Sequence, residues 1–182
     1  LNNQNPLLAS TMTEFEVSSL TGFGLFGFDW NFTPFASKDA VRSWQTSKDG
    51  LYDKVIMRDD LLWSDGTPIT AHDIEFSFKV IMSSQVPIRA QRTGTEAIKY
   101  VKAYDDQTLV YFHNEPLQTN VWNINFSIIP KHIYEKSFLN AKNPAQTKLE
   151  MAVPLSQDID IRLAVTHANS AMWQLKLNYY WQ

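Results

Sequence analysis

The run from Trp63 to Asp73 constrains the fold more than any other part of this sequence. It reads Trp-Ser-Asp-Gly-Thr-Pro-Ile-Thr-Ala-His-Asp. The pair Asp65-Gly66 is typical of a tight turn, and the proline after it keeps the chain extended. Thr70 has an aspartate three residues later, which is the spacing of a capping box. Because an acidic residue in the first turn also favours helix formation, a helix is predicted to begin at Thr70.

The predicted helix has one apolar face. Ile74, Phe78, Ile81 and Met82 recur at the spacing of an amphipathic helix. We expect it to end near Ser83 or Ser84, before the proline at position 87.

Two β-hairpins are predicted around this helix. The first covers residues 44–58, with Asp49-Gly50 as its turn because glycine accepts a positive φ. Trp44 is expected to pair near Val55–Met57. The second hairpin covers residues 99–113, where apolar side chains alternate with the period of a strand.

The remaining segments give weaker patterns. Residues 23–30 alternate large side chains with glycine, which predicts a short strand or extended turn whose backbone packs closely against something. We interpret these aromatic residues as part of a strand in the hydrophobic core, in preference to the wall of a ligand-binding site. After the break at Asn143-Pro144, apolar residues between Ile161 and Tyr179 recur at helical spacing. We therefore predict two units, a β-rich main unit at 1–142 and a helical tail at 143–182. The same spacing also fits a tail segment that has lost the part of the protein against which it packed.

Composition excludes several classes of protein. The chain has 182 residues, of which 44% are hydrophobic, as in ordinary globular proteins. Its net charge of −3 leaves no basic surplus for a phosphate backbone or an anionic membrane surface, so no nucleic acid partner is predicted. No apolar run approaches the length of a transmembrane segment. The chain begins Leu-Asn-Asn-Gln, without a Met, a basic start or an apolar signal core, so we expect a processed or excised piece.

No catalytic or metal-binding motif is found. Cysteine is absent, and the four histidines lack the spacing of a helical zinc site. The acidic pairs Asp59-Asp60 and Asp105-Asp106 fall in predicted turns, where solvation explains them better than acid–base catalysis. We predict no catalytic residue, no metal and no cofactor.

The motif at 63–73 resembles the family 5 extracellular solute-binding proteins, the oligopeptide-, dipeptide- and nickel-binding components of bacterial ABC importers. Four other segments agree with this family in sequence order. They are Asn5-Pro6-Leu7, Trp44 with Asp49-Gly50, residues 101–109 (Val-Lys-Ala-Tyr-Asp-Asp-Gln-Thr-Leu), and residues 129–133 (Ile-Pro-Lys-His-Ile). Each is weak alone, but together they form a specific signal.

The resemblance implies an α+β chain of the periplasmic-binding-protein type II-like fold: a β-rich subdomain with antiparallel hairpins and a few helices. It would be incomplete relative to the full two-lobed fold, which closes on its ligand like a hinged clamp. The implied function is to bind peptides or a similar small solute without catalysis. The implied location is periplasmic or extracytoplasmic, and the full-length protein would dock on an ABC permease.

The resemblance also suggests site residues. In the family the loop after the capped helix faces the cleft, so Arg89 and Arg92 are candidates to meet a carboxylate. Trp122 and Phe126 are further candidates. Surface arginines and core aromatics explain the same four residues. Trp63, Asp65, Gly66, Thr70 and Asp73 are assigned to the structural motif.

Two departures from the family leave alternatives open. No G-x-G-P-Y-like strand occurs between Asn140 and Gln182, and we expect this chain to lack the second lobe of the family. A non-transport interaction module that presents Trp173, Tyr179, Tyr180 and Trp181, or an inactive truncated fragment that retains the fold, is therefore an alternative. A glycan-processing enzyme would need two carboxylates facing across a cleft.

Overall fold

The computed structural model describes residues 6–9, 11–84, 86, 88, 92–141, 148–156, 159–168 and 172–181. The helices are α1 (Met12–Thr21), α2 (Ala71–Met82), α3 (Asn120–Asn123) and α4 (Lys131–Ala141). The strands are β1 (Phe26–Phe28), β2 (Pro34–Ala36), β3 (Val41–Thr46), β4 (Tyr52–Met57), β5 (Ile98–Ala103), β6 (Thr108–His113), β7 (Lys148–Ser156), β8 (Ile159–Ala168) and β9 (Met172–Trp181). Short 3-10 turns lie at Pro6–Leu8 and Thr95–Ala97.

Both predicted hairpins are confirmed, and they pair with each other to form one antiparallel sheet. The strand order is β3-β4-β6-β5. Trp44 lies opposite Val55, as expected, and Gly50 has a φ of +69° in the turn between their strands. Val55 also pairs with Leu109 on the other side, which joins the two hairpins through β4 and β6. Helix α2 connects β4 to β5 and so falls between the hairpins in sequence.

Helix α2 begins and ends where the sequence predicts. Thr70 is its N-cap and Ser83 its C-cap. Ile74 and Ile81, on the predicted apolar face, are fully buried in the core. The helix is buried on more than that one face, because α4 packs beside it and brings Phe138 edge-on to Phe76 at 5.8 Å. The helix at α4 was not predicted from the sequence.

Glu75 ties α2 to the edge strand β5. Its carboxylate accepts a hydrogen bond from the backbone N–H of Ala103 at 2.9 Å and lies 2.7 Å from Lys79 Nζ. Lys102 Nζ approaches the same carboxylate at 3.7 Å. Burial raises the pKa of Glu75, but these donors outweigh it and hold the pKa below its usual range. A buried acid is thus stabilised as the anion between two elements.

The glycine-rich segment near the start is extended, as predicted. It contains the short strand β1, which pairs with β2. Leu25 and Phe26 are buried, and Phe26 contacts Trp44 edge-on at 5.1 Å. These two residues belong to the core, while Trp30 at the end of the segment is exposed.

The prediction of a helical tail at 143–182 is wrong in its secondary structure. Strands β7, β8 and β9 form an antiparallel sheet in that order. The physical reason lies in the sequence, because Trp173, Leu175, Leu177 and Tyr179 also recur every second residue, the period of a strand. β-Branched and aromatic residues favour that alternative. The domain boundary at residue 142 stays a prediction.

Candidate functional site

The Trp63–Asp73 motif forms a tight turn followed by a capped helix start. Gly66 has a φ of +83°, a conformation that favours glycine. Asp65 Oδ1 accepts a hydrogen bond from the backbone N–H of Thr67 at 2.9 Å, and the backbone N–H of Trp63 donates to the Thr67 carbonyl at 2.8 Å. The turn is therefore fixed by its own short-range hydrogen bonds.

Both acidic residues of the motif also bind the start of α4. Asp65 Oδ2 lies 2.7 Å from His132 Nε2, and Asp73 Oδ1 accepts a hydrogen bond from the backbone N–H of Lys131 at 2.7 Å. Hydrogen bonds from Thr67 and His132 hold the pKa of Asp65 below its usual range. The motif therefore fastens α4 to the start of α2, and its assignment as a structural motif stays a prediction.

A groove of about 500 Å³ lies where the C-terminal half of α1 meets two extended segments. One segment is residues 22–26 and the other is 125–128. The segments form an antiparallel bridge between Phe23 and Ile128. Segments about one hundred residues apart in sequence therefore make one surface, which is the candidate functional site.

The lining of this groove is aromatic and uncharged. Phe15, Phe23 and Phe126 supply rings, while serine hydroxyls and the amide of Asn125 supply polar groups. Among the described residues that line it there is no Asp, Glu, Lys, Arg or His. Such a surface can bind a solute by ring contacts and by neutral hydrogen bonds.

Two glycines in the groove differ in what surrounds them. A Cβ on Gly22 would lie 2.5 Å from the carbonyl oxygen of Ser18, because Gly22 closes α1 with a hydrogen bond to that oxygen. A Cβ on Gly24 would find only the Phe26 carbonyl oxygen, at 3.9 Å. The protein itself therefore requires glycine at position 22 but leaves open space beside position 24.

The four predicted site residues lie in different places. Phe126 lines the groove, is 7% exposed and packs against Phe78 and Tyr111, so it contributes both to the core and to the wall. Trp122 lies on α3, 44% exposed, and stacks on Phe28 with ring centroids 4.0 Å apart. It is not among the residues lining the groove. Arg89 lies outside the described residues.

Arg92 binds the C-terminal end of α2. Its Nε donates to the carbonyl of Ile81 at 2.7 Å, and its Nη2 donates to the carbonyls of Ser83 and Val86. The carbonyls of Ile81 and Ser83 carry the partial negative charge of a helix C-terminus, which a guanidinium neutralises. The structure thus gives Arg92 a role in the fold, and its contact with a solute stays a prediction.

Sequence reasoning missed most of the groove. The pattern Gly22-x-Gly24 was the available signal, since it predicted close backbone packing, but the preferred explanation was a core strand. In the described part of the chain no group of three or more His, Asp or Glu residues is placed to hold a metal ion. Among those same residues, no helix combines the length and apolar character needed to span a bilayer.

Comparison with known proteins gives one family and a set of similar structures. The family model described as "Bacterial extracellular solute-binding proteins, family 5 Middle" matches residues 37–158, which is more than half of the chain. No curated protein sequence matches the chain significantly.

Three solved structures represent the structural matches. NikZ from Campylobacter jejuni in complex with Ni(L-His) is 24% identical, with a TM-score of 0.62, over 90% of this chain and 33% of that one. The oligopeptide-binding protein AppA from Bacillus subtilis in complex with a nonapeptide is 19% identical, with a TM-score of 0.62, over 92% and 34%. AgaA from A. tumefaciens R10 in complex with agropinic acid is 16% identical, with a TM-score of 0.63, over 98% and 37%.

These matches confirm the predicted fold class. The described helices and antiparallel sheets belong to the periplasmic-binding-protein type II-like fold. The chain spans about a third of the length of these structures, so the fold is incomplete relative to theirs.

Proposed function

This chain belongs to the bacterial extracellular solute-binding proteins, family 5, and from that membership we propose that it supplies one wall of the solute site of an ABC importer component. The solute is a peptide or a similar small molecule, and it is bound without catalysis. The part of the site held by this chain is the groove between α1 and residues 125–128. The protein acts outside the cytoplasm and delivers its solute to an ABC permease.

The observation that carries this proposal is the uncharged groove built on two antiparallel main-chain segments. A receptor for peptides of varied sequence must recognise what all peptides share, which is the backbone. Neutral hydrogen-bonding groups and aromatic walls suit that task, because they tolerate different side chains. Charged side chains in the wall would select against many sequences.

Peptide is favoured over a metal chelate for this wall. A chelate bound through protein ligands needs imidazole or carboxylate groups, and the described residues of the groove lining supply neither. The similar structures bind a nickel complex, a nonapeptide and agropinic acid, respectively, so the fold is compatible with all three classes. The chemistry of the lining, and not the fold, supports the choice.

Affinity selection tests the proposal. The purified chain is incubated with a mixture of short peptides that have uncharged side chains, and the retained peptides are identified by mass spectrometry. We expect retention by the wild type and loss of retention in Gly24→Val, whose side chain enters the open space beside position 24. Gln45→Val, on an exposed strand position away from the groove, is the matched control and retains the peptides.

Two outcomes would contradict the proposal at different levels. Retention of Ni(L-His) with no retention of peptides would refute the peptide assignment while keeping a solute-binding role. Equal peptide retention by Gly24→Val and the wild type would refute the groove as the site.

The alternative role as an interaction module has less support. It depends on the tail aromatics Trp173, Tyr179, Tyr180 and Trp181, whose side chains lie outside what the structure describes. An enzyme with two facing carboxylates is not favoured by the groove, since no acid is found among the lining residues that the structure describes.

A further inference from the structure

A second cavity, of about 330 Å³, lies apart from the groove. It is bounded by the β3–β4 hairpin, by Pro34 at the start of β2 and by residues 116–121, which lead into α3. No described residue lines both this cavity and the groove. Any ligand it holds is therefore independent of the solute proposed above.

One polar group lining this cavity is the buried carboxylate of Asp53. The residue is 2% exposed, and its carboxylate accepts hydrogen bonds from Trp44 Nε1 at 2.9 Å, Thr46 Oγ1 at 2.5 Å and His113 Nε2 at 2.7 Å. A carboxylate has about four lone-pair positions, so these three donors leave room for about one more. Asp53 is thus an anion held in place by its neighbours with acceptor capacity remaining.

The second polar group is the side-chain amide of Asn120, which is 5% exposed. Its Nδ2 donates to the carbonyls of Glu115 at 2.9 Å and Gly50 at 3.5 Å. Since both neighbours are acceptors, the nitrogen must face them and the orientation of the amide is fixed. The opposite atom, Oδ1, is buried and has no hydrogen-bond partner among the described residues. A buried acceptor without a donor is destabilising, and a ligand that donates would remove that cost.

The rest of the cavity is largely apolar. Pro34, Pro116, Leu117 and Val121 form walls, and the Trp44 ring lies beside Asp53. Of the described residues that line it, none is a lysine or an arginine, and the histidine that contacts Asp53 approaches it from outside this lining. The cavity therefore combines an anion, an acceptor without a donor and an apolar wall.

We propose that this cavity binds a small primary ammonium ion with an apolar body, such as a protonated alkylamine or arylalkylamine. The ammonium group is compact and has three donors, which suit the two acceptors that line this one cavity, the Asp53 carboxylate and the Oδ1 of Asn120. The apolar body lies against Leu117 and Val121. A neutral alcohol of the same shape lacks the charge, and a carboxylic acid would be repelled by Asp53.

Titration of the whole chain with benzylammonium chloride tests the proposal. The readout is the indole N–H signal of Trp44 in ¹H–¹⁵N NMR, because this group donates directly to Asp53; the signal is assigned with Trp44→Phe. We expect a saturable shift with a Kd on the order of 1 mM, a value reasonable for a ligand of this size. Benzyl alcohol and benzoate at the same concentrations serve as matched probes and produce no saturable shift.

Two variants locate the site. Asn120→Leu removes the acceptor at nearly constant volume and is expected to weaken binding about tenfold or more. Asn114→Leu, at an exposed asparagine nearby in sequence, is the control and keeps the wild-type affinity. Leu117→Trp, at a half-exposed wall position that tolerates a larger side chain, blocks the cavity and abolishes the shift even if Asn120→Leu fails to fold.

The proposal is overturned if benzyl alcohol shifts the signal as strongly as benzylammonium, which would indicate an apolar cavity without charge recognition. It is also overturned if no shift occurs, or if the wild type and Leu117→Trp respond alike. We expect Gly24→Val to leave benzylammonium binding unchanged. A failure of the amine-site proposal can therefore be distinguished from a failure of the groove as the solute site.

Discussion

The carboxylate of Asp73 joins two helices: its Oδ1 accepts the backbone N–H of Lys131 at 2.7 Å. Its Oδ2 accepts the backbone N–H of Thr70 at 2.8 Å, which caps α2. Asp73 is buried, so neither donor finds water as a substitute when the carboxylate is removed. Ser77 continues this connection, because its hydroxyl accepts the backbone N–H of Ile129 at 2.9 Å.

We therefore expect Asp73→Asn to lower the free energy of unfolding by about 2 kcal/mol, since one of the two donors would face an NH₂ group. Asp59→Asn is the control, because Asp59 forms only an exposed ion pair with Arg42 and such pairs contribute little. Urea denaturation of both variants measures the difference. Equal stability of the two variants would show that the link between the helices is not important for the fold.

A second stability prediction concerns Arg92. Arg92→Ala removes three hydrogen bonds, two to carbonyls at the end of α2 and one to the Val86 carbonyl that follows it, and should lower the free energy of unfolding by about 2 kcal/mol. Arg92→Lys recovers only part of this, because an ammonium is a point charge and cannot reproduce the planar geometry of the guanidinium. Thermal melting measures both variants.

The matched control is Arg42→Ala, an exposed arginine whose partner is also exposed. If Arg92→Ala melts like Arg42→Ala but loses solute affinity, Arg92 acts at the solute and the structural role is wrong. A lower melting temperature with unchanged affinity would refute the ligand-binding prediction for Arg92.

The parts of the fold that followed from sequence are those set by local signals. The Thr-x-x-Asp cap and the Asp-Gly turn act over a few residues, so α2 and the β3–β4 hairpin were predictable. The register of Trp44 against Val55 followed from the turn length. The tail was mispredicted because its apolar residues satisfy both a helical and a strand period, and only pairing between strands decides between them.

The candidate site was harder to predict because it depends on contacts distant in sequence. Phe23 meets Ile128 across about one hundred residues, and no local pattern encodes that bridge. Arg92 looked available for a solute because its carbonyl partners belong to the end of α2, about ten residues earlier. Buried Asp53 and Asn120 are also unremarkable in sequence, since neither belongs to a motif. Their chemistry arises from tertiary packing.

The third prediction is a pH dependence set by Asp53. Burial raises the pKa of this carboxyl, but hydrogen bonds from His113, Thr46 and Trp44 outweigh burial and hold the pKa below its ordinary value. A depressed pKa in the folded state means that the folded state favours the anion. The resulting stability is fully present above the ordinary pKa and is lost as the pH falls through the folded value.

Asp53→Asn should therefore destabilise the protein near neutral pH, and the difference from the wild type should shrink as the pH falls below about 4. Urea denaturation at a series of pH values measures this difference. A difference that stays constant across the series would mean that the loss arises from packing rather than from the charge of Asp53.

The fourth prediction is that alanine substitution has different effects on stability at Gly22 and at Gly24, although these glycines are only two residues apart. Gly22→Ala places a Cβ 2.5 Å from the carbonyl oxygen of Ser18, so the end of α1 must shift and the melting temperature should fall. Gly24→Ala meets nothing closer than 3.9 Å, and its stability should equal or slightly exceed that of the wild type, because alanine reduces the entropy of the unfolded chain. Thermal melting of both variants under identical conditions tests the pair. If Gly24→Ala were as destabilised as Gly22→Ala, the space beside position 24 would be required by the fold and would not be available to a solute.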